Sequence, residues 1–112
     1  MFTKSESNSF RPLIEGVSMR PLAFGEKTNL CEFRLMKGYS LPAHNHPFEQ
    51  TGYLASGRLN FRIGEEWYPA GPGDSWSVPE NVVHEVEVLE DSVVLEVFSP
   101  VRPDYLPEQK KV

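Results

Sequence analysis

The chain has 112 residues, enough for one domain with a real core and too few for a catalytic fold with subdomains. Hydrophobic residues make up 39%, which together with eight glycines approaches the globular norm and argues against global disorder. A formal net charge of -5, with no basic run or aromatic-basic stripe, argues against a nucleic-acid partner. No stretch reaches the roughly 18 consecutive apolar residues of a membrane span, and the N-terminus MFTKSESNSFRP lacks the apolar segment of a secretory leader. Cys31 is the only cysteine, so no internal disulfide can form and its expected role is that of a small buried hydrophobe. A soluble, cytoplasmic protein with no membrane partner is expected.

Residues 1–9 are polar and serine-rich and are expected to be mobile. From Phe10 to Phe24 the pattern is β-like, with Val17 and Met19 alternating against Ser18 and Arg20, and Pro21 confines the stretch to a sheet edge. Such an edge is free to pair with a second copy. After the turn at Gly25, residues 29–37 form a strand with Cys31, Phe33 and Leu35 on one face. Gly38 permits a turn, and Pro42 and Pro47 bracket a segment rich in histidine. Residues 50–56 and 58–64 read as a hairpin across Ser56–Gly57, with Leu59, Phe61 and Ile63 alternating against Arg58, Asn60 and Arg62.

A short strand at Trp67 to Pro69 follows, then a loop from Ala70 to Asp74, and a strand carrying Trp76 and Val78. Pro79–Glu80–Asn81 turns the chain into a strand on which His84, Val86 and Val88 share a face. Glu90–Asp91 reads as another hairpin turn, leading into the apolar run from Ser92 to Ser99. After Pro100 the prolines oppose a helix, and the segment is expected to form a strap over the mouth of a barrel. The result is an all-β jelly-roll barrel of about nine to eleven short strands. The domain spans residues 10–106, between the mobile residues 1–9 and a frayed tail at 107–112.

All three histidines, His44, His46 and His84, lie in the two most turn-rich segments. On an extended strand, positions i and i+2 face the same way roughly 7 Å apart, so His44 and His46 can lean toward one point. Gln50 keeps that parity and Glu49 does not. Imidazole nitrogens with one amide oxygen suit a divalent transition metal such as Zn, Ni, Fe, Mn or Co, with open positions left for water or substrate. Glu96 stands alone as a charge in VVLEVF, where an unpaired buried carboxylate costs several kcal/mol. Either its face opens onto a ligand cavity, where it can serve acid-base chemistry, or it pairs with Arg34 or Arg62.

Gly38, His44, His46, Gln50 and Gly57 resemble, in their spacing, the first motif of the cupin superfamily, in which a glutamate usually stands at the place of Gln50. Gly73, Pro79 and His84 resemble the second motif, with Asn81 where glycine and Val88 where asparagine is usual. The segments HNHPFEQ, SGRLNFRIGEE, GPGDSWSVPENVVH and LEDSVVLEVFSPVRPDYL resemble the KdgF-type cupins, pectin-degradation proteins that help convert unsaturated uronates into linear keto sugars. That resemblance implies a single-domain cupin jelly roll of the RmlC-like, double-stranded β-helix type, and a homodimer. It implies one divalent metal on His44, His46, Gln50 and His84, and a small-molecule substrate of the sugar-acid class. Glu96 and Phe98 stand where the family places an acid, normally aspartate, and a phenylalanine beside the substrate. Trp76 and Tyr53 are further candidates for an apolar wall against the sugar. The same fold hosts metal-dependent dioxygenases and non-catalytic sugar-binding modules, which are the competing functions.

Overall fold

The computed structural model describes residues 1–108 and contains eight strands and one short 3-10 turn among them. Strands β1 (Arg11–Ile14) and β2 (Val17–Phe24) pair as an antiparallel hairpin, so the single edge strand expected over Phe10 to Phe24 is divided in two. Gly16, at φ 79°, makes the turn between them in the left-handed region that glycine enters without steric cost. β1 is left as the outermost strand. Residues 1–9 form no strand, but Arg20 Nη1 donates to the Ser5 carbonyl and the Phe24 N–H to Met1 Sδ, which ties the segment along β2.

β3 (Asn29–Leu35) pairs with β2 on one side and β8 (His84–Ser99) on the other. β4 (Ser40–His44) pairs with β8, and β6 (Glu66–Ala70) and β7 (Ser75–Val78) pair with different halves of β5 (Glu49–Ile63). Two long strands therefore hold the barrel together. Within one continuous eight-stranded sheet, the first half of β5 and the second half of β8 form the larger of two facing sheet portions with β1, β2, β3 and β7, and their other halves form the smaller with β4 and β6. Alternate residues of both portions close on one core, in which Met19, Leu54, Leu59, Val78 and Phe98 are almost wholly buried.

The hairpins expected at Ser56–Gly57 and Glu90–Asp91 do not exist. Both segments run straight through, as 15-residue β5 and 16-residue β8, and the strand count drops to eight. The turn residues instead serve a corner. The β5–β8 register slips between Leu54 and Leu59, and Gly57 sits at φ 100° within that irregular stretch. A bulge with a glycine bends a strand without ending it, and Ser–Gly between alternating segments looks the same in either role. Gly57 is needed for a second reason: a Cβ there would collide with the Asp91 carbonyl and the Ser92 side chain on the facing strand. Gly57→Val is therefore expected to lower stability by on the order of 1–3 kcal/mol or more. Urea denaturation checks this, and an unchanged midpoint would remove the corner from its role.

Beyond β8, residues 103–105 form the 3-10 turn, and Tyr105 packs edge-on against Phe33 and Phe98 at 5.7 and 5.4 Å between ring centres. The expected strap is thus present, with Arg11 donating to the carbonyls of Asp104 and Leu106 to hold it down. The expected frayed tail falls, from residue 109 onward, outside the described residues.

Candidate metal centre

The three histidines converge at one end of the core, although not by the strand parity expected for them. β4 ends at His44, and His46 sits in the loop beyond it. That loop is pinned from across the barrel: the Asn81 N–H donates to the His46 carbonyl at 2.8 Å, and Asn45 Nδ2 to the Asn81 carbonyl at 3.3 Å. Asn81 adopts φ 63°, so asparagine, which tolerates this region better than most residues, makes the turn where the resembling motif has glycine. His84 opens β8 directly opposite His44 on β4.

The orientation of each ring follows from its other nitrogen. Nδ1 of His44 lies 2.7 Å from the Pro42 carbonyl, Nδ1 of His46 lies 3.0 Å from the Phe48 carbonyl, and Nδ1 of His84 lies 2.9 Å from the Val82 carbonyl. A carbonyl can only accept, so each Nδ1 carries the hydrogen and each Nε2 presents a lone pair. One ligand nitrogen from each ring lies within 4.8 Å of the others. Two ligands of a tetrahedral ion at 2.0–2.1 Å stand roughly 3.4 Å apart, so small ring movements would complete the shell. Nε2 of His46 is buried with no hydrogen-bond partner, an arrangement that is costly unless something binds it. His46 and His84 are buried and His44 is exposed, which places His44 at the mouth. The cluster could hold a metal ion, with carbonyls of this chain as its outer support.

Burial makes protonation of the His46 and His84 rings difficult. It pushes the His84 imidazole down to about 4, with His44 and His46 adding to the effect against the Val82 carbonyl. His46 is also lowered, first by burial and then by the Arg102 guanidinium. Neutral imidazole is the form a metal needs.

Beside the histidines, Gln50 is 5% exposed on β5 and lies against both His46 and Glu96. Phe98 is 2% exposed, with its ring centre 6.0 Å from that of His46. Glu96 points inward, and the ion-pair alternative fails. Arg62 instead pairs with Glu85 at 2.6 Å, and Arg34 lies over the Phe10 ring. Trp76 Nε1 donates to Glu96 Oε1 at 3.3 Å, while Oε2 is buried without a partner. Burial pushes the Glu96 carboxyl up to about 8 against the opposing influence of the Trp76 indole N–H and the neighbouring Gln50 side chain, so it holds its proton at neutral pH.

Tyr53 is not part of this site. It lies on β5 with the opposite parity to Gln50, Gly52 and Leu54, and is 46% exposed on the outer face of the sheet. Two residues not singled out from the sequence take their place in it. Arg102 and Tyr105, from the strap, line the cavity, and the Arg102 guanidinium lies 5.3 Å from the Phe98 ring centre and 4.0 Å from that of Tyr105. Arg102 is the one lysine or arginine among the described lining residues. Asn29, 2% exposed, accepts from the Arg102 backbone N–H and fixes the strap at that point. The cavity volume is about 60 Å³, room for only a few waters.

A cupin domain model matches residues 31–99. The chain is 26% identical over 103 residues to a pectin degradation protein KdgF from Dickeya dadantii (strain 3937), covering 90% of this chain and 94% of that one. The structure of KdgF from Halomonas sp. superposes with a TM-score of 0.88 at 25% identity, covering 95% and 98% of the two chains. An RmlC-like cupin from Shewanella frigidimarina NCIMB 400 gives the same TM-score at 23% identity, covering 94% and 95%.

The titrations make opposite contributions to the stability of chelated protein. A histidine depressed in the folded state contributes stability that is present above its unfolded value near 6.5 and lost as pH falls toward about 4. A carboxyl raised in the folded state contributes stability that is present below its unfolded value near 4.5 and lost as pH rises through about 8. His84→Gln should flatten the acid side of the stability profile and Glu96→Gln the alkaline side. Chemical denaturation from pH 4 to 9 reads both, and profiles parallel to the wild type would contradict the assignment.

Proposed function

From its membership of the cupin family we propose that the chain is a metal-dependent enzyme that opens and ketonises 4,5-unsaturated uronates, the sugar acids released when polyuronides are cleaved. One observation carries the reading: three lone-pair-bearing Nε2 positions, a buried protonated carboxyl and a single guanidinium meet around one cavity. Likeness over nearly the whole chain to a protein named for pectin degradation, and to the structure of another KdgF, supports the choice of substrate class.

His44, His46, Gln50 and His84 would hold the metal, whose charge, left unneutralised by four neutral ligands, would supply Lewis acidity toward the sugar oxygens. Arg102, at the mouth, is placed to take the uronate carboxylate, for which a guanidinium offers two parallel donors. Phe98 and Tyr105 form an apolar wall for the ring and keep water from its reactive edge. Opening the hemiacetal breaks the bond between the anomeric carbon and the ring oxygen, forms the aldehyde, and leaves an enol at C5. Moving the enol proton to C4 then gives the ketone. The sequence is an isomerisation and needs no oxidant. Glu96 carries a proton at neutral pH, can give it to C4, and recovers one from the enol hydroxyl at C5.

The test is the loss of ultraviolet absorbance of a 4,5-unsaturated galacturonate monomer with metal-loaded against chelated protein, with the product identified by NMR. Metal-dependent acceleration is expected, together with a drop of roughly 100-fold or more in kcat for Glu96→Gln at unchanged metal content. No acceleration with Zn, Ni, Fe, Mn or Co would overturn the proposal. Tight sugar binding without product would then favour a binding module, and oxygen uptake a dioxygenase.

A further inference from the structure

The cross-strand register of the larger sheet portion puts Cys31, Glu96, Gly52 and Trp76 in one row across β3, β8, β5 and β7. Every second strand in a sheet is nearly 10 Å away, so Trp76 and Glu96 would ordinarily be separated by the side chain between them. Here that position is Gly52. The indole lies across the bare backbone and its Nε1 reaches Glu96 Oε1 at 3.3 Å. A Cβ on Gly52 would overlap the indole and stand 2.6 Å from Glu96 Oε2. Gly52 has no left-handed φ, so its conformation does not require glycine; the space does. On the opposite side of Glu96 in the same row is Cys31, wholly buried, whose thiol burial pushes up to about 12 and so keeps neutral.

Resting on the acid-base role given to Glu96 above, we propose that Trp76 and Gly52 are positioning residues for that carboxyl: the indole N–H, passing over Gly52, fixes one carboxyl oxygen and leaves the other for proton exchange with the substrate. Trp76 then acts on turnover through Glu96 rather than as a wall against the sugar. The geometry separates these roles. Trp76 packs its face on Phe61, with ring centres 4.9 Å apart, and its polar edge is spent on Glu96. A flexible glutamate in an apolar row would otherwise sample several rotamers, and misplacement by about 1 Å can lower a rate by roughly two orders of magnitude.

Two readouts test this, one of them independent of turnover. In the ¹⁵N–¹H spectrum of the metal-loaded protein, Glu96→Gln should move the Trp76 indole N–H resonance and leave that of Trp67, which lies on β6, in place. Kinetically, Trp76→Phe and Gly52→Ala should each lower kcat by on the order of 10- to 100-fold with KM changed less than about threefold and metal content unchanged. Gly52→Ala keeps the indole N–H and fills the space in which the indole and Glu96 meet, so loss in both variants points to the shared contact. An indole resonance indifferent to Glu96→Gln, or full kcat in Trp76→Phe, would overturn the proposal. If wild type turns over no uronate but the Trp76 resonance still responds to Glu96→Gln, the ketonising function falls while the positioning contact stands.

Discussion

The antiparallel pairing of β5 with β8, running from Glu49 opposite Ser99 to Ile63 opposite His84, brings the parts of the site into reach of one another. At one end it sets Gln50 beside Phe98 and Gly52 beside Glu96; at the other it brings His84 to the inner face. Because both strands bend at the same corner, residues far apart along β8 face each other across one cavity. A slip of one residue would turn Glu96 and Phe98 outward together, so the register that buries the core also assembles the chemistry.

Electrostatics inside the cavity follow from burial. The His46 and His84 imidazoles are held neutral and the Glu96 carboxyl is held protonated by the same low-polarity surroundings. Uncharged donors facing an uncharged acid can sit together in the core without mutual attraction or repulsion, and an arriving cation meets lone pairs already oriented by three backbone carbonyls. Arg102 is the cationic side chain of the lining: its guanidinium lies over the Phe98 and Tyr105 rings, and its backbone N–H is held by Asn29.

Much of this was legible in the residues. The spacing of His44, His46, Gln50 and His84 identified the segments that converge, because turn residues frame them at both ends, and alternation gave Phe61 and Val86 the faces that the core buries. Glu96 stood out because an apolar run tolerates no idle charge. Other features depend on contacts between distant strands. Ser56–Gly57 bends a strand instead of reversing it, since the same dipeptide suits either role and the partner strand decides. Tyr53, a candidate for the apolar wall, is sent outward by its parity on β5. Gly52 and Arg102 carry no local signal: one matters through its row in the sheet, the other through the fold of the strap.

X-ray absorption of the zinc- or cobalt-loaded protein reports most directly on the convergence of the three rings. Three imidazoles bound at about 2.0–2.1 Å with light oxygen or nitrogen atoms completing the shell are expected, falling to two imidazoles, or to no retained metal, in His46→Ala. A spectrum with fewer than three imidazoles in the wild type, or one unchanged by His46→Ala, would contradict a centre built on His44, His46 and His84.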